Sequence, residues 1–388
     1  MTISVFKKRK VAIFGSTGSI GASTLKIISA NESKFIAYIL TANNNYKKLI
    51  KQARKYKPEY ICIVNELHYA DVKDALADMP IKIFAGENGL NELAELETDI
   101  VISAIMGLAG LSPTLHAIKN TEILALANKE SLVCASNFIL DECAKYNTKL
   151  VPLDSEHNSI YQLLENEADE SAINKITITA SGGPFLNWDI SKFANITLSD
   201  ALKHPNWVMG KKITVDSATM VNKALEIIEA NYLFPQFKNK IEVVVHPESI
   251  IHALISFRDG SIKSLLAAHD MRVPISHALS YPDRLEQSEI CLNISELGSL
   301  NFLKPDLIKF RVLKLVEFIL AEGKALPIIF NAANEVMVDK FLKEEILFTD
   351  IVNNIEIILD KFKNIQVENL EHLYAIDAEA RNRANNLR

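Results

Sequence analysis

A short apolar run, Val11 to Phe14, meets the glycine-spaced loop Gly15-Ser16-Thr17-Gly18-Ser19-Ile20-Gly21, and apolar residues at helical spacing, Leu25, Ile27 and Ile28, follow at once. Strand, glycine loop and helix in that order are the opening of a dinucleotide-binding sheet, the glycines giving a tight turn and close approach of a pyrophosphate to the helix N-terminus. The G-x-x-G-x-x-G spacing is looser than G-x-G-x-x-G, so a turn made for packing is the competing reading. Strand-like segments Phe35 to Leu40, Tyr60 to Val64, Ile81 to Phe84, Ile100 to Ala104 and Glu122 to Leu126 then alternate with helical ones. This predicts an α/β fold whose N-terminal part, residues 1–150, is a Rossmann-like, doubly wound parallel sheet.

The end of the second predicted strand bears on which dinucleotide is bound. A site for NAD normally places Asp or Glu there for the ribose 2′-hydroxyl. Here the strand runs into Thr41-Ala42-Asn43-Asn44-Asn45, with Lys47 and Lys48 close behind. A carboxylate repels a 2′-phosphate and amides beside lysines do not, so the expected cofactor is NADPH, with residues 42–45 at its adenosine end.

Two further stretches are dense in groups that bind metal and phosphate. Asp154 and Glu156 lie two apart after the apolar run Leu150 to Leu153, so an extended backbone points both carboxylates to one side. Glu226 follows Asn222 by four residues and Lys223 by three, which puts the three on one helix face. Three carboxylates without Cys or His at ligand spacing suit Mg²⁺ or Mn²⁺ better than zinc. A lone D-x-E pair is usually a solvated cap; its company argues for chemistry. The turn Ala180-Ser181-Gly182-Gly183-Pro184-Phe185 follows a predicted strand, and Ser217, Asn222 and Lys223 flank the helix bearing Glu226. Small hydroxyls, exposed backbone N–H groups and an ammonium suit a phosphate dianion.

The segments GSTGSIG, LANKES (Leu126 to Ser131), PLDSEHN, ASGGPF and HPNW…VDSATMVNKALEIIEA, in that order from about residue 8 onward, resemble the 1-deoxy-D-xylulose 5-phosphate reductoisomerase family. The resemblance implies metal-dependent rearrangement and NADPH-dependent reduction of 1-deoxy-D-xylulose 5-phosphate to 2-C-methyl-D-erythritol 4-phosphate, in the non-mevalonate route to isoprenoid precursors. It implies that Asp154, Glu156 and Glu226 bind the metal, with Ser155 and the catalytic Lys129 beside the substrate backbone. Ser181, Ser217, Asn222 and Lys223 would hold the phosphate. His204 and Trp207 would belong to a mobile flap, about residues 204–212, whose Met209 and Gly210 face the nicotinamide. Thr17, Gly18, Ser19 and Ile20 match the pyrophosphate loop, and Asn128 and Glu130 match cofactor-side positions. One departure is that some members carry Gly and a basic residue where this chain has Asn43 and Asn44. A homodimer is implied by the family alone.

Two other readings compete. A different NADPH enzyme, such as a semialdehyde dehydrogenase, needs a nucleophilic Cys, and Cys134 and Cys143 fall in a helical pattern without flanking signals. A non-enzymatic NADPH-binding protein has no need of three carboxylates and a phosphate clamp. Net charge of −6 gives no electrostatic case for nucleic acid. Lys7-Lys8-Arg9-Lys10 reads as a solvated lead-in to the first strand. Four scattered cysteines, no signal sequence and no membrane-length apolar stretch predict a cytoplasmic protein.

Further along, residues 151–285 mix shorter strands, Lys175 to Thr179, Ile241 to His246 and Ser261 to Ala267, with the helix of Glu226, predicting an α+β catalytic domain. Residues 286–305 read as a connector. Residues 306–388 predict a helical bundle, with a helix from Leu307 to Ala321 and an Ile351, Ile355, Ile358, Phe362 stripe N-capped by Thr349. His157 is expected to orient Glu156 or to cap its helix, and His246 and His252 to be structural.

Overall fold

A computed structural model describes residues 7–165, 167, 169–207, 209–286, 288–323, 325–362 and 365–387. Val208 of the expected flap and Arg388 at the polar C-terminal end lie outside them. The strands are β1 (Arg9–Phe14), β2 (Phe35–Ala42), β3 (Tyr60–Ile63), β4 (Lys82–Ala85), β5 (Thr98–Ser103), β6 (Thr121–Leu126), β7 (Lys149–Pro152), β8 (Ile173–Ala180), β9 (Ile241–Val245), β10 (Ile251–Phe257) and β11 (Ile262–Leu266). The helices are α1 (Ser19–Ala30), α2 (Tyr46–Tyr56), α3 (Tyr69–Ala75), α4 (Gly86–Ala94), α5 (Leu111–Ile118), α6 (Lys129–Tyr146), α7 (Ser155–Leu164) and α8 (Leu198–Ala201). They continue with α9 (Lys211–Thr219), α10 (Val221–Leu233), α11 (Arg272–Ser280), α12 (Val312–Glu322), α13 (Leu326–Leu342), α14 (Phe348–Asp360) and α15 (Leu370–Asn385).

The chain forms two compact units that are discontinuous in sequence. Residues 1–131, 137–158 and 270–290 make the first; residues 132–136, 159–269 and 291–388 make the second. A helix from inside the expected catalytic segment, α11, therefore belongs with the N-terminal sheet.

In the first unit the seven strands run parallel in the order β4-β3-β2-β1-β5-β6-β7. This is the doubly wound, Rossmann-like sheet expected from the alternating pattern. Val11, Ala12, Ile13 and Phe14 are fully buried at its centre, as a strand covered on both faces must be. Strand order reverses between β1 and β5, so their C-terminal ends open the crevice where such sheets take ligands. The basic lead-in is not simply solvated. Arg9 Nη1 donates to the carbonyls of Leu279 (3.1 Å) and Tyr281 (3.3 Å), placing a cation at the C-terminal end of α11, and Lys10 lies 4.3 Å above the Tyr38 ring.

In the second unit the four-stranded sheet has the order β11-β10-β8-β9, with β10 antiparallel to both neighbours and β8 parallel to β9. Helix α10 lays Ala230 and the following Phe234 onto Ile176, Ile178, Ala253 and Ile255. The connector joins this sheet: Leu303 pairs antiparallel with Val245, and Asn301 donates its backbone N–H and its side-chain amide to Glu248.

The C-terminal helices form the expected bundle, with α13 buried on nearly every side, as an all-round apolar sequence requires. Two details differ from the sequence reading. The helix placed at Leu307 begins at Val312, because Asp306 turns the chain by accepting the N–H groups of Ile308 (2.9 Å) and Lys309 (3.0 Å). The Ile351 stripe starts at Phe348 rather than at a Thr349 cap, and Asp350 accepts the Leu347 N–H at 2.9 Å in that role.

Candidate active site

At the dinucleotide loop, Gly15 has φ +86, and a Cβ there would lie 2.7 Å from the Ala104 carbonyl oxygen. A Cβ on Gly21 would lie 2.5 Å from Ser16 Cα. Both glycines are thus demanded by packing, and Gly18, the N-cap of α1, is left exposed with Ser19 at the helix mouth. Thr17 and Ile20 are half-buried on either side. Two residues given no role by the sequence hold the loop: buried Ser16 donates to Gln52 Oε1 (2.8 Å), and Gln52 Nε2 donates back to the Ser16 carbonyl (2.8 Å). Only their pairing between the glycine loop and α2 could have revealed them.

The strand-end amides are engaged through their oxygens. Asn44 Oδ1 accepts Asn65 Nδ2 at 2.8 Å, and Asn45 Oδ1 caps α2 by accepting the Lys48 N–H at 3.3 Å. Asn43 is exposed and Ala42 buried. Lys48 reaches across to donate its Nζ to the Thr17 carbonyl at 2.7 Å, which sets an ammonium on the glycine loop itself. Asn128 caps α6 by accepting the Ser131 N–H (3.0 Å) and donates to the Gly107 carbonyl (3.0 Å). Its side chain is buried and held at the N-terminus of α6, and Glu130 is half-buried beside it.

The Asp154 and Glu156 carboxylates do not share an extended strand. Strand β7 ends at Pro152, and Ser155 already begins α7. Asp154 caps that helix: its Oδ1 accepts the Glu156 N–H at 3.3 Å, and its carbonyl accepts the Asn158 N–H at 2.8 Å. Lys129 Nζ donates to Asp154 Oδ2 at 2.5 Å, and both side chains are largely buried. Ser155 Oγ donates to Glu156 Oε2. His157 is fully buried, with Nδ1 3.8 Å from Asp154 Oδ1.

In the second unit, Met220 takes a left-handed conformation (φ 64) and breaks the motif into two helices. Ser217 consequently sits on α9, and Asn222, Lys223 and Glu226 on α10. The predicted shared face is real: Asn222 Nδ2 and Lys223 Nζ both donate to the Glu226 carboxylate, and Lys223 and Glu226 are buried. Glu229, one turn on, is buried too. Gly183 (φ +66) lets the ASGGPF turn close on α9, since a Cβ there would stand 2.7 Å from the Ser217 carbonyl oxygen.

His204 organises the flap. Its Nδ1 accepts the N–H groups of Asn206 (3.2 Å) and Trp207 (2.9 Å), so the ring proton sits on Nε2 and donates to Ser181 Oγ at 3.1 Å. Burial and the neighbouring His269 lower its pKa from 6.5 to about 4. The imidazole is thus neutral at pH 7. Trp207 packs edge-on to His269 at 5.6 Å, and Asn206 Nδ2 donates to the Pro247 carbonyl at 2.6 Å. Met209 is half-buried, and exposed Gly210 caps α9. His246 is satisfied on both nitrogens, Nδ1 on the Asn301 carbonyl (2.8 Å) and Nε2 on the Ile250 N–H (3.2 Å).

The two cysteines weighed as nucleophiles, Cys134 and Cys143, are held out of solvent. Cys62, Cys134 and Cys143 are buried, and desolvation pushes the Cys62 and Cys143 thiols up to about 12. The donor sets that remain are carboxylate oxygens, fit for a hard divalent cation, and a glycine cradle with no room for a side chain, fit for a pyrophosphate.

Comparison with known proteins agrees with this chemistry. Family models described as 1-deoxy-D-xylulose 5-phosphate reductoisomerase, its C-terminal domain and the DXP reductoisomerase C-terminal domain match residues 11–136, 150–234 and 266–383. A 1-deoxy-D-xylulose 5-phosphate reductoisomerase of Bacteroides fragilis is 45% identical over 382 residues, covering 98% of each chain. The reductoisomerase of Zymomonas mobilis in complex with NADPH is 40% identical, with a TM-score of 0.91 over 97% of this chain and 98% of its own. A DOX-P reductoisomerase in complex with NADPH, fosmidomycin and magnesium is also 40% identical, with a TM-score of 0.91 over 97% of each chain.

Proposed function

The chain belongs to the 1-deoxy-D-xylulose 5-phosphate reductoisomerase family, and from that premise we infer that it converts 1-deoxy-D-xylulose 5-phosphate to 2-C-methyl-D-erythritol 4-phosphate with NADPH and a divalent cation, Mg²⁺ or Mn²⁺. The observation that carries the reading is the pairing of two of the three proposed cation ligands with a lysine, Asp154 with Lys129 and Glu226 with Lys223, in a chain with an intact glycine cradle.

Asp154, Glu156 and Glu226 are the proposed cation ligands. When bound, the cation would supply Lewis acidity toward the hydroxy ketone, and the dinucleotide would supply the hydride for the reduction. The remaining work is done by the protein's own groups. Lys129, held on Asp154, presents an ammonium to the substrate backbone beside Ser155. Ser181, Ser217, Asn222 and Lys223 grip the phosphate, and remote binding energy of that kind can be used to draw a flap over the reacting carbons. His204 joins grip and flap, because the ring that accepts the Trp207 N–H also donates to Ser181. Trp207 then excludes water from reactive species. At the cofactor end, Thr17 to Ile20 receive the pyrophosphate, Ala42 to Asn45 the adenosine, Asn128 and Glu130 the nicotinamide side, and Met209 and Gly210 the nicotinamide itself.

We propose the functional division 1–150 for cofactor, 151–285 for catalysis, 286–305 as connector and 306–388 as helical support, in a cytoplasmic homodimer. Among the described residues, no helix is long and apolar enough to cross a membrane. The test is NADPH oxidation with 1-deoxy-D-xylulose 5-phosphate, with and without Mg²⁺ or Mn²⁺, after chelation, and with NADH in place of NADPH. Oxidation that needs the sugar phosphate, the metal and NADPH supports the assignment. Folded, NADPH-binding protein that leaves the substrate untouched with metal present overturns it.

A further inference from the structure

Asp216 is a buried carboxylate beside the proposed phosphate ligand Ser217, and the reading of the site gives it no task. A carboxylate out of water needs paired charge or full hydrogen bonding to be tolerable. Asp216 has partners on two elements. Its Oδ2 accepts Lys212 Nζ at 2.9 Å from the first turn of α9, at the C-terminal end of the flap. Its Oδ1 accepts the side-chain amide of Asn334 at 2.8 Å, and Asn334 is a fully buried residue of α13 in the C-terminal bundle. Helix α9 has nine residues, so fixing Asp216 fixes Ser217 and the start of the helix together.

The other half of the phosphate grip rests on the same bundle. Phe185, which closes the ASGGPF turn, packs edge-on to Phe348 of α14 at 5.1 Å. Lys309 Nζ, just before α12, donates to the Leu186 carbonyl at 2.9 Å. The turn and α9 then meet at Gly183, where no Cβ fits. We propose that Asp216 and Asn334 are positioning residues for the phosphate grip, setting Ser217 and the C-terminal end of the flap on the helical bundle, which thereby acts as the jig of the phosphate subsite. The inference rests on the assignment of Ser217 to substrate phosphate.

The test uses full-length protein with Asn334→Asp, Asn334→Leu and Asn334→Ser. In Asn334→Asp a carboxylate of the same shape faces Asp216, and two acids at hydrogen-bond distance cannot both ionise freely. The expected result at pH 8 is a KM for 1-deoxy-D-xylulose 5-phosphate raised on the order of 10- to 100-fold, the scale of an ångström-level misplacement. The NADPH Kd should stay where it is, and kcat should fall much less than KM rises. In Asn334→Asp the KM defect should shrink at pH 6, where the acid pair can hold a proton, and in Asn334→Leu it should not. Asn334→Ser, which keeps a donor, should recover part of the KM. In wild type, inorganic phosphate should raise the melting temperature; in Asn334→Leu that rise should vanish while the NADPH-induced rise persists.

Equal changes in the substrate KM and the NADPH Kd, or lower melting temperature with the substrate KM and the phosphate response intact, would overturn the inference and leave the pair as plain structure. If Asn334→Asp does not fold, Asn334→Ser against Asn334→Leu decides by the same split. Wild type inactive on the sugar phosphate would remove the functional assignment instead, and the phosphate-dependent melting shift would still judge the positioning role.

Discussion

His204 offers a sharp test because its protonation state follows from geometry as well as from burial. Nδ1 already accepts two backbone N–H groups, so a second ring proton must break both contacts and push the Trp207 backbone off the imidazole. The folded protein therefore binds that proton poorly, with the pKa lowered from 6.5 to about 4. At ~1.4 kcal/mol per tenfold change in proton affinity, the full drop corresponds to ~3.4 kcal/mol. The ring is only partly buried, and solvent screening reduces the expected contribution to ~1–2 kcal/mol.

The sign follows from linkage. As pH falls the unfolded chain takes up the proton first, near 6.5, so the stabilisation is complete above 6.5 and is lost as pH falls toward 4. Urea unfolding of wild type and His204→Gln at half-unit steps from pH 8 to 4 should show a stability difference that is constant at the alkaline end and narrows by ~1–2 kcal/mol below pH 6.5. The imidazole Cε1 proton, assigned by its absence in His204→Gln, should not titrate above pH 5. A resonance titrating near 6.5, or a stability gap that stays level with pH, would refute the hydrogen-bond assignment and with it the coupling of Ser181 to the flap.

Three more outcomes are expected. Glu226→Gln should cut turnover at least ~100-fold while NADPH affinity, read from nicotinamide fluorescence, is unchanged; full activity would remove Glu226 from the cation set. Lys48→Ala should weaken NADPH about tenfold and NADH hardly at all, because the ammonium on the Thr17 carbonyl is the cation placed to meet the extra phosphate; equal losses for both coenzymes would assign Lys48 to the shared pyrophosphate. Gly183→Ala should destabilise the protein by ~1–3 kcal/mol, from a left-handed non-glycine residue plus a Cβ 2.7 Å from the Ser217 carbonyl oxygen, and raise the substrate KM; an unchanged urea midpoint would show that the turn does not need the glycine.

The parallel sheet was legible because its strands are buried on both faces and read as apolar runs, and the shared face of Asn222, Lys223 and Glu226 because helical spacing is local. The D-x-E geometry was not. The apolar run through Leu153 looks like a strand that continues, and nothing in the spacing says that Asp154 would cap a helix at Ser155. The break at Met220 was hidden for a related reason, since a non-glycine residue in the left-handed region carries no sequence flag. Contacts distant in sequence, such as Ser16 with Gln52 and Asp216 with Asn334, lie beyond any periodicity argument. Arg9 is another such contact: Lys7 and Lys8 beside it are exposed, as a basic lead-in should be, while its own guanidinium sits on a helix end.

Lys223 invites a different correction. Read from the sequence it is an ammonium kept for phosphate, but here it lies on Glu226, as Lys129 lies on Asp154. In the proposed site, three carboxylates and two ammonium groups leave one net negative charge before any ligand arrives. A divalent cation and a phosphate dianion bring equal and opposite charge, so the fully loaded site returns to the same balance. Each ligand offsets the charge that the other brings into a low-dielectric site. Cation and sugar phosphate should therefore bind with positive coupling, and by reciprocity the metal concentration needed for half-saturation should fall as substrate rises. Metal titrations followed at two fixed substrate levels that gave the same midpoint would mean that the lysines are shared less closely than their contacts with Asp154 and Glu226 require.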